Sequence, residues 1–235
     1  MLTHVLLDQS LLHAAPGLKV GAIYYKDIIV GESPKMIKGR LQFYQETLHT
    51  ELQDLPLIEK EGIAEWRHIF KAAGTDPSRY RPSHESLARA VKKNGNLSFV
   101  HSAVDLNNFF SIQYMLPAGI YDASALKGTV TVKIGEEADT YEGLNGRTNT
   151  FKDKIVSSDD IGAFGSPIVD SNRTKTTTET TEALQLFYLP PSLSKKEAEK
   201  LLAASAKMFH QIHSGEADVA ILDDEQTVFS FQKTT

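Results

Sequence analysis

Cysteine is absent from the 235 residues, which excludes disulfides, thiolate zinc sites, iron–sulfur clusters and cysteine nucleophiles. No apolar run approaches the 18 residues of a membrane-spanning helix. The first 17 residues lack the basic region of a secretory signal and include Asp8, His13 and Pro16. We therefore expect a cytoplasmic protein that has no membrane partner.

Positive charge is also in short supply. The chain has 25 basic and 30 acidic residues, a formal net charge of −5 with histidine neutral. The overall field repels polyanions, so DNA binding is not expected and any RNA contact must be a local patch. With 41% hydrophobic and 23% charged residues, the composition is that of a globular chain rather than a disordered or coiled-coil one.

Hydrophobic periodicity predicts helices in the N-terminal part of the chain and strands after it. The predicted helices cover residues 34–52, 58–73, 83–94 and 194–213. Regularly spaced glycines after residue 96 indicate a β-rich region, and the predicted strands cover residues 18–30, 129–134, 151–156, 176–188, 218–222 and 227–231. No long linker divides the chain, so we expect one α+β domain over residues 1–235, with a helical N-terminal layer packed on a mixed β core.

One stretch of fifteen residues concentrates positive charge. It contains Arg79, Tyr80, Arg81, Arg89, Lys92 and Lys93. Such a patch can hold a phosphate backbone, with Tyr80 stacking on a base, although solvated helix charges give the same pattern. Glu85 lies one helical turn before Arg89, a surface pair worth about 0.2–0.5 kcal/mol.

Metal and nucleotide chemistry find little support in the remaining motifs. His210 and His213, followed by Glu216, are three residues apart rather than the four of zinc hydrolases. Gly162 and Gly165 lack the lysine of a phosphate loop. We expect neither a metal nor a cofactor.

Serines in a glycine-flanked loop raise the question of a catalytic triad. Ser166 and Ser171 lie near Asp160 and Asp170. Neither serine has the G-x-S-x-G frame, and no histidine lies between residues 101 and 210. The pattern favours a structural loop that turns beneath a pocket.

Polar residues among apolar neighbours point to an internal cavity. Asp105, Asn107 and Asn108 form one such group, and Asp122 and the Arg173–Thr174 pair could meet it. The alternatives at this point are an internal carboxylate–arginine bridge and a set of ligand-binding groups.

A spaced series of short motifs resembles the B3/B4 domain of the phenylalanyl-tRNA synthetase beta subunit, and above all its free-standing bacterial members. The matching residues are Arg81-Pro-Ser-x-Glu85-Ser-Leu87, Val104-Asp105-x-x-Asn108, Pro117-x-Gly-x-Tyr-Asp122, Gly128, Gly135-Glu136, Asp160-x-Gly162 and Arg173-Thr174. The resemblance covers residues 60–215. It implies an α+β fold with a barrel-like β core and, in the synthetase, hydrolysis of tyrosine wrongly attached to the phenylalanine tRNA.

By the same resemblance, a substrate pocket is implied among a set of residues from the middle and late parts of the chain: Asp105, Asn107, Asn108, Gly119, Tyr121, Asp122, Asp160, Ser166, Arg173, Thr174 and Gln185. Gly119 stands where the family pattern has a histidine, and Gln185 where it has the glutamate that binds the tyrosine hydroxyl. Asn107 replaces a threonine. Loss of the carboxylate should weaken discrimination of that hydroxyl.

Three functions remain open at this point. The first is a stand-alone RNA- or tRNA-interacting domain that acts in trans on aminoacyl-tRNA. The second is a deacylase for another aminoacyl ester, with Asp105, Asn108, Asp122 and Ser166 as polar groups. The third is a binder of an amino-acid-like small molecule that has lost RNA binding. Aminoacylation is excluded because no class II catalytic motif is present.

Overall fold

The computed structural model describes residues 2–231. Its helices are α1 (Gln9–Ala14), α2 (Lys35–Gln53), α3 (Glu61–Ala72), α4 (Ser83–Asn94), α5 (Ser102–Tyr114) and α6 (Lys195–His213). Its strands are β1 (Leu2–Leu7), β2 (Lys19–Lys26), β3 (Ala118–Asp122), β4 (Gly128–Ile134), β5 (Thr140–Glu142), β6 (Thr148–Thr150), β7 (Ile155–Asp159), β8 (Gly162–Gly165), β9 (Ala183–Leu189), β10 (Glu216–Leu222) and β11 (Val228–Ser230).

Two sheets form the β core. One has the strand order β11-β1-β4-β7-β8 and the other the order β10-β2-β9-β3, while β5 and β6 form a separate hairpin. Only β1 and β4 pair in parallel among the paired strands of the described chain. The expected α+β class is confirmed. The barrel-like closure is not seen, because the two sheets stay open over residues 2–231.

Strand β9 lies between the helices on one side and the five-stranded sheet on the other, and all seven of its residues are buried. Its Phe187 ring contacts Phe110 of α5, on the helical side. Its Tyr188 hydroxyl lies 2.9 Å from the Ser157 hydroxyl of β7, on the side of the five-stranded sheet. Successive side chains of a strand point to opposite faces, so β9 separates two interiors.

The predicted helices α2, α3, α4 and α6 are confirmed, and the β-rich region expected after residue 96 begins with a helix that was not predicted. Helix α5 lies there, and nine of its thirteen residues are buried. A helix covered on most sides loses the alternation of apolar and polar faces that identifies an amphipathic helix. The predicted strand 176–188 begins only at Ala183, and the predicted strand 18–30 ends at Lys26, just before the positive φ of Asp27.

Glu85 belongs to a buried ion-pair network, which corrects its interpretation as half of a surface pair. Its side chain is 0% exposed and accepts hydrogen bonds from Arg89 of its own helix and from Arg67 of α3. Two cations thus compensate one buried carboxylate. Loss of such a partner costs far more than loss of an exposed helix pair.

Two buried histidines are held in the neutral form. His213 donates from Nδ1 to the Phe209 carbonyl and accepts at Nε2 from the Ser102 hydroxyl, and burial lowers its pKa to about 4. His84 is fully buried beside Trp66, and burial lowers its pKa to about 3. His213 therefore serves packing, and no group of three potential metal ligands lies within the described chain.

These histidines predict loss of stability in acid. Their unfolded pKa of 6.5 exceeds the folded values, so the unfolded chain binds more protons and stability falls as pH drops from about 6.5 towards 4. Between pH 7 and 5 each histidine should cost about 1–2 kcal/mol of unfolding free energy. Urea titrations of wild type and His84→Leu at both pH values measure this, and the variant should lose less stability. An equal loss in both proteins would contradict the assignment.

Candidate functional site

A cleft of about 390 Å³ opens beside the hairpin β5–β6, between β8 and the segment that follows Asp170. Its lining comprises Ala138, Thr140, Tyr141, Glu142, Ile161, Gly162, Ala163, Ser171, Asn172 and Arg173. Its polar groups are hydroxyl, amide, carboxylate and guanidinium functions on a small apolar floor. A cleft of this size can hold a group as large as an amino acid with part of a sugar.

Arg173 holds the base of this cleft together. Its guanidinium makes a two-pronged contact with Asp159, at 3.1 and 2.8 Å, and donates to the carbonyls of Ala125 and Gly162. The Asp159 side chain is fully buried. Burial alone would raise the pKa of Asp159, but the hydrogen bonds from Arg173 and from the backbone of Lys127 keep it below its usual value. The sequence suggested a bridge from Arg173 to the Asp105 or Asp122 carboxylate, but the carboxylate that Arg173 contacts is that of Asp159.

Replacing Arg173 by alanine should destabilise the protein strongly. The change leaves the buried Asp159 carboxylate and two carbonyl groups without their donor, which should cost about 3–5 kcal/mol of unfolding free energy. Chemical denaturation measures the loss. The exposed Arg147 provides the control, and Arg147→Ala should stay within about 0.5 kcal/mol of wild type. A small effect of Arg173→Ala would show that Arg173 is not a brace.

Asp170 is a half-buried acid that the sequence suggested only as a neighbour of serine. Its carboxyl group accepts a 2.7 Å hydrogen bond from the Tyr121 hydroxyl. Burial raises the pKa of Asp170 to about 7, despite the opposing hydrogen bond from Tyr121. Ser171 and Asn172, the next two residues, line the cleft. An acid with its pKa near neutrality beside a cleft is typical of functional sites.

Gly119 and Gly165 make room for the Tyr121 phenol. A Cβ at Gly119 would lie 2.1 Å from the Tyr121 hydroxyl oxygen, and one at Gly165 would lie 2.3 Å from the same atom. Neither position accepts a side chain unless Tyr121 moves. This contact gives a physical reason for glycine at position 119, where the family pattern has histidine.

Asp170 should make stability fall as pH rises. Its folded pKa of about 7 lies above the ordinary value of 3.8, so its contribution to stability is complete below about pH 3.8 and is lost as pH rises through 7. In Asp170→Asn the amide oxygen still accepts from Tyr121 without titrating. From pH 5 to pH 8 the variant should therefore gain about 1–3 kcal/mol relative to wild type. Thermal or urea unfolding at both pH values measures the difference, and a difference independent of pH would contradict the assignment.

Two of the predicted pocket residues lie on the other face of β9. Gln185 donates to the Asn107 side-chain oxygen and accepts from the Tyr25 hydroxyl, each at 2.9 Å. Asn107 also donates to the Ala118 carbonyl. Gln185 is 0% exposed and Asn107 is 5% exposed. A tyrosine hydroxyl is bound at Gln185, and it belongs to this chain's own Tyr25.

Other predicted pocket residues make local contacts around the sheet. Asp105 accepts from the Ser33 hydroxyl and from the Val100 backbone, and Asn108 lies near it on α5. Asp122 caps the turn that follows β3 and accepts from the Thr180 hydroxyl. These side chains do not converge on the cleft.

The remaining predicted pocket residues lie on the cleft side of the fold. Asp160 is exposed at the turn between β7 and β8. Ser166 accepts from two backbone groups of its own loop, and Thr174 is buried against the Ser171 hydroxyl at 3.0 Å. Thus Arg173 is the predicted pocket residue that lines the cleft. Gly119, Tyr121, Ser166 and Thr174 lie around residues 169–171 next to it, and Asp105, Asn107 and Gln185 lie apart. A ligand-binding role for any of them stays a prediction.

The predicted RNA-binding residues form two groups. Two cations lie over the Tyr80 ring, with the Arg79 guanidinium at 5.3 Å and the Lys154 ammonium at 4.6 Å from the ring centre. Arg81, the next residue in the chain, is exposed. Arg89, Lys92 and Lys93 line a separate depression of about 440 Å³, together with Leu57 and Ile58. Lys154 was missed by the sequence reasoning because it is 74 positions away from Tyr80 in the chain.

Comparisons with known proteins identify the family of this chain. The family model for the B3/4 domain matches residues 65–222. The chain belongs to the B3/4 domain family. The uncharacterized protein YhzB of Bacillus subtilis (strain 168) is 32% identical over 212 residues, 90% of this chain and 96% of that protein.

Further relatives of this B3/4 protein are subunits of a much larger enzyme. The phenylalanine–tRNA ligase beta subunit of Paramagnetospirillum magneticum is 29% identical over 105 residues, 43% of this chain and 13% of the subunit. That of Zymomonas mobilis is 28% identical over 131 residues, 54% of this chain and 16% of the subunit. An N-terminal fragment of the Pyrococcus horikoshii phenylalanyl-tRNA synthetase beta subunit has a TM-score of 0.45 at 12% identity, over 100% of this chain and 55% of the fragment.

Proposed function

We propose that this protein is a stand-alone tRNA-binding module that receives the aminoacylated 3′ end of tRNA in the cleft beside Asp170 and acts on it in trans. The supporting observation is that Arg79, Arg81 and Lys154, the basic group around Tyr80, lie at the loop that leads into the cleft. Two of the relatives are subunits of a tRNA ligase by name. The net charge of −5 requires that the contact with RNA be local.

The basic group and the cleft are connected by direct contacts. The Ser83 backbone, two residues after Arg81, donates a 2.7 Å hydrogen bond to the Pro167 carbonyl. Pro167 belongs to the loop that continues through Asp170 to Ser171 and Arg173 at the cleft. An RNA strand whose phosphates contact Arg79, Arg81 and Lys154 would therefore reach the cleft by following this one short loop.

The two parts would recognise different features of the ligand. Cations bind phosphates irrespective of sequence, and Arg79 and Lys154 both lie over the ring of Tyr80. The cleft presents Asn172 and Glu142, joined by a 3.0 Å hydrogen bond, to the polar groups of an aminoacyl ester. Affinity then comes from the cations, and preference for the charged tRNA comes from the cleft.

Filter binding with aminoacylated and uncharged tRNA tests the proposal. The logarithm of affinity should fall with the logarithm of salt concentration, with a slope of about −2 to −3 for three phosphate contacts. Arg79→Glu combined with Arg81→Glu should reduce the slope by about 2 and weaken both tRNAs alike. A control reverses two exposed lysines of α6, Lys196→Glu and Lys207→Glu, and should change affinity far less.

The cleft is tested in the same assay by Ala138→Trp, which narrows it from an exposed position. This variant should lose the preference for aminoacylated tRNA and keep its affinity for the uncharged form. Binding that ignores salt, no binding, or equal effects of the α6 control would contradict the proposal. Binding of a free amino acid without tRNA would favour the small-molecule alternative instead.

A further inference from the structure

Helix α2 has an apolar stripe on its outward face. Its inner face is buried through Ile37, Leu41, Gln45, Leu48 and Leu52. On the outer face, Met36 is 77% exposed and Phe43 is 73% exposed. They are seven residues apart, two helical turns, and so share one side of the helix. Single exposed apolar side chains are common, but an aligned pair of large ones on a helix indicates a contact surface.

Gly39 lies between these two side chains, and no contact within residues 2–231 requires a glycine there. Glycine is a poor helix former, and here its φ is not positive. No atom lies within 4 Å of where its Cβ would be. Neither backbone conformation nor internal packing requires a glycine at this position. Its effect is to lower the helix surface between Met36 and Phe43, where another helix could approach closely.

Charges along the same face are self-complementary. Lys35 lies at the start of α2 and Glu46 eleven residues later, and both are exposed. Eleven residues are three turns, so the two side chains share a face but are separated by about 16 Å along the axis. They cannot pair within one helix. In an antiparallel pair of α2 helices centred near Gly39, Lys35 of each chain lies beside the partner's Glu46.

We propose that the protein forms a two-fold symmetric dimer in which the outer face of α2 packs antiparallel on the same face of a second copy. Met36 then meets the partner's Phe43, and Gly39 lies at the axis. The same surface patch serves both subunits, as a two-fold interface requires.

Sedimentation velocity and light scattering over a range of protein concentrations test the dimer. Wild type should show twice the monomer mass, and Phe43→Glu should shift the protein to the monomer. Leu144→Glu, a matched change at another exposed apolar residue, should leave the dimer intact. Circular dichroism verifies that each variant keeps its fold.

A charge-reversal series identifies the register. Lys35→Glu and Glu46→Lys should each raise the dimer dissociation constant about tenfold, since each affects two symmetric pairs. The double variant should return to near the wild-type value. A monomeric wild type, a dimer insensitive to Phe43→Glu, or no rescue in the double variant would overturn the proposal. So would a monomer that binds anionic vesicles or RNA through this face.

Discussion

The arrangement of the site follows from one constraint, the burial of strand β9 on both faces. A strand that alternates between two interiors must present apolar or hydrogen-bonded side chains on each side. On one side Gln185 bonds to Tyr25 and Asn107, and on the other Tyr188 contacts Ser157. The polar residues that the family pattern assigns to one pocket are thereby divided between the two faces of β9. Only the face of β9 that includes Tyr188 lies on the side of the cleft.

Buried charges in this fold differ in how they are compensated. Asp159 and Glu85 each have at least one arginine partner that compensates their charge and connects neighbouring elements. Asp170 has only the Tyr121 hydroxyl and backbone contacts, and its pKa rises to about 7. Burial without a counter-charge is costly in stability and is more often found where a group is used. Asp170, rather than Arg173, is therefore the group near the cleft whose pKa lies close to neutrality.

The helices that were predicted correctly from the sequence are those with a clear short-range hydrophobic periodicity. Helix α6 begins at its Ser194 capping box and runs to His213, and α2 was placed within one residue at each end. Helix α5 was missed because burial on most sides removes its polar face. The family resemblance and the α+β class were also recovered from the sequence.

The site was harder to predict, because it depends on strand register. Gln185 pairs with Ile120 in the sheet while Leu184 pairs with Tyr121, so Gln185 and Tyr121 face opposite interiors. A list of pocket residues has no information on this alternation when the register is unknown. The contact of Lys154 with Tyr80 is likewise a product of the fold, as is the space that Gly119 leaves for the Tyr121 phenol.

We propose that the cleft beside Asp170 receives the aminoacyl end of an RNA. The decisive measurement is an NMR titration of labelled protein with an acceptor-stem RNA that has a non-hydrolysable amide-linked amino acid at its 3′ end. We expect the amide signals of Thr140–Glu142 and of residues 171–173 to shift with the aminoacylated RNA and much less with the bare RNA. Shifts confined to other surfaces, or identical shifts with both RNAs, would contradict it.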